Sequence, residues 1–132
     1  MQLPQTRHEV GIDLIELPRI VHVLGRFPTR FEERVLTDAE RAYCRGMVHH
    51  IAGRWAAKEA VSKVLGLGVR GVGWREIEIL PDWAGKPHVI LHARAAKRAE
   101  RLGLTAIAVS ITHERSMASA VALGEREEPP GR

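Results

Sequence analysis

Residues 50–65 constrain this chain more than any other stretch. Their spacing predicts one long helix, with Gly66 placed as its C′ residue. Ala57, Val61, Val64 and Leu65 form an apolar face that demands a core. The small residues Ala52, Gly53, Ala56 and Ala60 let another chain or a ligand approach the helix closely. Trp55, Glu59 and Lys63, at i, i+4 and i+8, make one further stripe. Any fold for this chain has to wrap such a helix, and 132 residues suffice for one domain with a real core.

The flanking segments supply strands and shorter helices. His8–Ile15 is a β-branched run that reads as a strand. Leu17, Ile20, Val21 and Leu24 follow at helical spacing, with Pro18 in the first turn, until Phe27-Pro28 breaks the pattern. Thr37-Asp38-Ala39-Glu40 is a capping box that predicts a helix from Asp38, interrupted at Gly46. After a glycine-rich loop, Val69–Gly73, residues 74–80 alternate as a half-exposed strand. Residues 81–86 form a hairpin connection to a partner strand over 87–92. A helix over 93–102 stops at Gly103, and two small-residue strands, 105–112 and 117–123, close the chain. Without strict βαβ alternation, the expected class is α+β, a mostly antiparallel sheet with the long helix packed on it. One domain is expected over residues 1–124 and a flexible tail over 125–132.

Charge and cysteine content narrow the function. The chain carries 20 Lys+Arg and 16 Asp+Glu, a formal charge of +4. That surplus lies in residues 51–100, with nine basic and five acidic residues. An anionic partner is implied. One cysteine, Cys44, excludes an internal disulfide and a thiolate metal cluster. The N-terminal residues lack the apolar core of a secretory leader, and no run approaches the ~18–20 apolar residues of a membrane span. A cytoplasmic chain without membrane contact is expected.

Four groups of residues are candidates for chemistry. Asp13 sits in an apolar strand and shares a face with Gly11 and Ile15. It either caps the following helix or is a carboxylate in need of a cation or several hydrogen-bond donors. Glu59 and Lys63 make either an ordinary i,i+4 pair or, with Asp13, a phosphate-facing site. Two carboxylates suit Mg²⁺, which takes one or two carboxylates plus substrate phosphates, and imply a diphosphate substrate. Arg19, Arg26, Arg30 and Arg34, interleaved with Phe27 and Phe31, form either a solvated face or a docking ridge for an acidic partner. His113 lies in the hairpin 112–115, and His49-His50 lacks zinc-ligand spacing.

These residues resemble the holo-[acyl-carrier-protein] synthase family, the small single-domain 4′-phosphopantetheinyl transferases. The likeness is carried by Gly11-Ile12-Asp13-Leu14-Ile15-Glu16, Arg19-Ile20, and Arg34-Val35-Leu36-Thr37-Asp38-Ala39-Glu40. Residues 52–63, AGRWAAKEAVSK, match the family's signature helix, and Gly85-Lys86-Pro87 and residues 109–113, VSITH, match later motifs in order. It covers roughly residues 9–123. The resemblance implies the family's fold and transfer of 4′-phosphopantetheine from coenzyme A to a serine of an apo-acyl carrier protein, releasing adenosine 3′,5′-bisphosphate. Asp13 and Glu59 are then Mg²⁺ ligands, and Lys63 acts with them at the coenzyme A phosphates. Arg54, Lys86, Pro87 and His113 belong to the nucleotide site. Arg19, Arg30, Phe31 and Arg34 match the surface that docks the acidic carrier protein.

Arg54 is five residues before Glu59 and projects about 140° away around the helix. The two cannot easily serve one compact site in one subunit, and the family's arrangement is a homotrimer with sites at subunit boundaries. The chain departs from the family twice: Glu9 stands where the strand often carries a first glycine, and residues 44–52 are short and His-rich. The competing class is a non-enzymatic basic module for nucleic acid. The basic balance favours it, but no aromatic stacking set lies on the strands and no nucleic-acid motif is present.

Overall fold

The computed structural model describes residues 1, 3–4, 6–66 and 71–127. Its framework is an antiparallel sheet of three strands in the order β1 (His8–Glu16), β5 (Met117–Glu125), β4 (Ala106–His113). A second sheet is the hairpin of β2 (Ile77–Pro81) and β3 (Pro87–Leu91). The long helix α4 (Val48–Leu65) packs on β1, β5 and β4 and also meets β2. The α+β class read from the sequence is the observed one.

Burial on α4 extends well beyond one face. Ile51, Ala52, Ala56, Ala57, Ala60, Val61, Val64 and Leu65 are all buried, and so are Arg54, Lys58 and Ser62. The small residues allow that closeness. A Cβ on Gly11 would lie 1.9 Å from the Ala60 carbonyl oxygen, so the β1 backbone touches the helix backbone. The space beside Gly11 is taken by α4. A Cβ on Gly53 would lie 3.1 Å from the Ile111 side chain of β4.

Local signals set the helix ends. Pro18 stands in the first turn of α1 (Leu17–Arg26), and beyond the break at Phe27 a second proline opens α2 (Pro28–Val35). Thr37 caps α3 (Asp38–Cys44) through a reciprocal capping box with Glu40. Arg45 and Gly46, at φ of 51° and 71°, end α3 and turn the chain into α4. Gly66, at φ of 76°, ends α4. The last helix, α5, covers Ala93–Arg101.

Two expectations are corrected. Strand β2 starts at Ile77, because Trp74–Glu76 form a 3-10 turn; the Trp74 carbonyl in that turn and the Ile77 carbonyl at the start of β2 both accept from Lys58. The tail does not begin at 125. Glu125 still pairs with His8, and Arg126 is buried, donating to the carbonyls of Leu102 and Thr6 and to the Glu9 carboxylate at 3.1 Å. Glu9, the departure in β1, is therefore the partner of a C-terminal arginine. Residues 128–132, and residues 69 and 70 of the glycine-rich loop, lie outside the described residues.

The strand faces divide unevenly. Gly11, Asp13 and Ile15 face α4. The other face of β1 shows Val10, Ile12 and Leu14, each more than half exposed. Val121 and Leu123 of β5, cross-strand partners of Ile12 and Val10, extend that apolar face.

Candidate active site

Asp13, Glu59 and Lys63 meet where β1 crosses the C-terminal half of α4. The Lys63 ammonium donates to the Ile12 carbonyl at 2.7 Å and lies 3.6 Å from Asp13 Oδ1. The i,i+4 reading of Glu59 and Lys63 is not what forms: Lys63 turns to β1, and among the described residues Glu59 makes no ion pair. The capping alternative for Asp13 also falls, because Glu16 is the N-cap of α1.

The electrostatics of the two carboxyls agree with their placement. Burial raises the pKa of Asp13, against the opposing pull of Lys63, the Leu14 amide and Arg19. Burial first, and then the Asp13 charge, raise that of Glu59, with Lys63 opposing. Both carboxylates are thus short of positive charge. A hard divalent cation would supply it, and an oxygen-only donor pair suits Mg²⁺. The described residues contain no cluster of three or more His, Cys, Asp and Glu set to hold a metal. A two-carboxylate set leaves the remaining positions to substrate and water.

A second group gathers on another side of α4. Arg54 is buried; its Nε donates to the Ile79 carbonyl at 3.3 Å and its guanidinium stacks 4.3 Å from the Tyr43 ring. With His113, Gly85 and Pro87 it lines a cavity of about 190 Å³. Five residues the sequence reading did not place there, Tyr43, His49, His50, Gly53 and Ile111, complete the walls. The His49-His50 doublet stands out in sequence, but its spacing speaks only against zinc ligation. Lys86 does not join this cavity. It borders a separate hollow over β4 and β5 with Ser110, Val121 and Leu123.

A third group lies on α1 and α2. Arg30, Phe31 and Arg34 line a groove of about 280 Å³ with Val23 and Phe27. Phe31 stacks on Trp55 of α4, and Trp55 on Trp74, at ring distances of 5.7 and 4.3 Å. Arg19 does not line the groove. Its charge reaches Asp13 instead, where it opposes the rise in pKa that burial causes.

The fold and these three groups define a small α+β protein with a carboxylate pair, a basic cavity and an arginine-lined groove. The model of the 4′-phosphopantetheinyl transferase superfamily matches residues 9–120. The chain belongs to that superfamily and, within it, to the holo-[acyl-carrier-protein] synthases. It is 44% identical over 121 residues to the holo-[acyl-carrier-protein] synthase of Herpetosiphon aurantiacus, covering 86% of this chain and 95% of that one. Against the synthase of Solidesulfovibrio magneticus it is 48% identical over 118 residues, with coverages of 88% and 96%. Among solved structures, the Helicobacter pylori synthase in complex with coenzyme A superposes with a TM-score of 0.81 at 29% identity, covering 88% of this chain and 99% of that one. The chain is thus an enzyme, a 4′-phosphopantetheinyl transferase.

Proposed function

We propose that this chain transfers the 4′-phosphopantetheine group of coenzyme A to a serine of an acidic apo-acyl carrier protein, with Mg²⁺, releasing adenosine 3′,5′-bisphosphate. The convergence of Asp13, Glu59 and Lys63 between β1 and α4 carries this reading. The serine oxygen bonds to the β-phosphorus, the bond from that phosphorus to the bridging oxygen breaks, the bridging oxygen leaves on adenosine 3′,5′-bisphosphate, and the serine hydroxyl proton is released to solvent. Asp13 and Glu59 would hold the Mg²⁺. When bound, the ion offsets the charge that grows on the diphosphate oxygens. Lys63 binds a phosphate oxygen and adds a second positive charge near the leaving group.

The remaining groups orient the two substrates. Arg54 and His113, with the Gly85–Pro87 turn, hold the nucleotide in their cavity, and the coenzyme A complex of the Helicobacter pylori relative supports that ligand. Arg30, Arg34 and Phe31 offer an arginine-rimmed apolar groove to the carrier protein, with Arg19 beside Asp13 on the path to the metal pair. Lys86 stands at the rim of the apolar sheet face.

That face supports a homotrimer. Val10, Ile12, Leu14, Val121 and Leu123 form an apolar patch a lone subunit would expose. Arg54 and Glu59 project to different sides of one helix, so a site with both halves needs two subunits.

The test is to incubate the enzyme with coenzyme A, Mg²⁺ and a panel of apo-carrier proteins. A mass gain of about 340 Da on the carrier serine is expected, the size of the added covalent group. Asp13→Ala and Glu59→Ala should each abolish it, and near-normal turnover in either variant refutes the assignment.

A further inference from the structure

Lys63 is placed between two kinds of partner. Its stem starts directly on β1: a Cβ on Gly11 would lie 3.1 Å from the Lys63 Cβ. From there the ammonium donates to the Ile12 carbonyl at 2.7 Å and stands 3.6 Å from Asp13 Oδ1. Glu59 stands one turn earlier on the same helix, yet the ammonium turns to the strand. The Lys63 side chain is 52% exposed, whereas that of Asp13 is only 18% exposed. A covered carboxylate is thus compensated by a charge that itself sits in water.

Such a hold is loose. Water screens an ion pair with one partner half exposed, and the gain from it is small. Lysine carries its charge as a compact point on a flexible stem, so the head can change partners while the stem stays packed on Gly11. The Ile12 carbonyl loses little by the change, because water donates to it instead. Where the ammonium rests nevertheless matters to a divalent cation. A unit charge beside Asp13 repels a second cation that needs the same carboxylate.

We propose that Lys63 is the internal counter-ion of the metal-free carboxylate pair, and that coenzyme A draws it off Asp13 and the Ile12 carbonyl onto a phosphate oxygen. The inference rests on the readings of Asp13 and Glu59 as the Mg²⁺ pair and of coenzyme A as substrate. The enzyme without substrate then holds Mg²⁺ weakly, because the ammonium competes for Asp13. The arriving diphosphate frees the pair and supplies oxygens for the positions that two carboxylates leave open. Metal and substrate therefore load together, each strengthening the binding of the other. A lysine that served the phosphates alone would, on removal, leave the metal affinity of the free enzyme unchanged.

The test measures binding at constant pH, with no carrier protein present and hence no turnover. Mg²⁺ alone is titrated by calorimetry into the wild-type enzyme and the Lys63→Met variant. Methionine keeps an unbranched stem against Gly11 and suits a helix as well as lysine does. The variant should bind Mg²⁺ roughly tenfold more tightly, because a repelling unit charge has gone. Coenzyme A is then titrated in the presence of a chelator. Asp13→Asn should tighten its binding about tenfold, since Lys63 no longer has a carboxylate to leave. The same change made in the Lys63→Met background should gain only about twofold, the relief of repulsion between Asp13 and the phosphates.

A Lys63→Met affinity for Mg²⁺ equal to or below that of the wild type overturns the inference and leaves the metal pair standing. Equal Asp13→Asn gains with and without Lys63 also overturn it, since the ammonium then never changes partners. Failure of the wild-type enzyme to bind Mg²⁺ even with coenzyme A present overturns the metal pair as well. Failure to bind coenzyme A at all overturns the substrate reading with it. Lys63→Gln gives the same two readings through a second side chain, and decides the question where Lys63→Met does not fold.

Discussion

Lys58 and Glu40 carry opposite charges with no solvent contact on either side chain. They meet at 2.7 Å, and the remaining valences are taken: the Lys58 ammonium also donates to the carbonyls of Trp74 and Ile77, and Glu40 accepts from the amides of Thr37 and Ile79. Losing one partner leaves a buried charge without compensation. Glu40→Ala or Lys58→Ala should therefore cost about 3–5 kcal/mol in urea unfolding. The Glu40→Ala/Lys58→Ala double variant should lose less than the sum of the two, since both charges then vanish together. Additive losses would show that the two side chains act independently.

Asp13 and Glu59 make the opposite prediction. Their folded pKa values are raised, so the folded metal-free chain holds protons that the unfolded chain releases. Metal-free stability should then fall as pH climbs from about 4 through the raised values. Asp13→Asn or Glu59→Gln should lift the Tm of the metal-free protein at pH 7 by a few degrees and cancel the stabilisation by added Mg²⁺. A Tm that drops in both variants, with the Mg²⁺ effect retained, would place the ion elsewhere.

At the scale of elements, the groove between α1 and α2 separates two roles that the arginine series left merged in sequence. Arg30 and Arg34 line it, while Arg19 lies near Asp13. Arg30→Glu and Arg34→Glu should each raise the carrier-protein KM roughly tenfold with little change in coenzyme A KM, mainly through slower association. Arg19→Glu should raise the carrier-protein KM too, and should also alter kcat through the charge it sets at Asp13. A change confined to the coenzyme A KM would remove the groove from docking. Periodicity and caps made most elements legible in advance: the Thr37 box, Gly66 and the alternation of residues 74–80 all describe local structure, although that alternation runs three residues ahead of the strand. The site was legible where a residue type contradicted its surroundings, as Asp13 does in an apolar strand. Long-range pairings left no such trace. Glu40 was already explained by its capping role, and nothing near it in sequence points to Lys58, eighteen residues on. The aromatic stack of Phe31, Trp55 and Trp74 joins three separate segments, and period alone links none of them.

At the scale of the molecule, one helix presents two half-sites on sides that do not face a common space. The carboxylate half lies against β1, and the Arg54 half against α3 and β2. In the proposed trimer, the exposed apolar face of β1 and β5 would bring a second subunit's half into place. Ile12→Asp with Val121→Lys should convert the proposed trimer to monomers in sedimentation velocity. It should abolish transfer while Mg²⁺ still stabilises the monomer through Asp13 and Glu59. A sharper consequence follows from head-to-tail closure of a ring, in which each interface joins unlike patches. Arg54→Gln and Glu59→Gln homotrimers should each be inactive, one lacking its nucleotide half and the other its carboxylate half. Trimers reassembled from an equal mixture carry both intact halves at roughly a quarter of their interfaces, the random pairing expected of a heterologous ring. Activity of the mixture should therefore return to about a quarter of wild type, in proportion to those interfaces. An inactive mixture, with exchange of subunits verified by mass, would mean that each site is built within one chain.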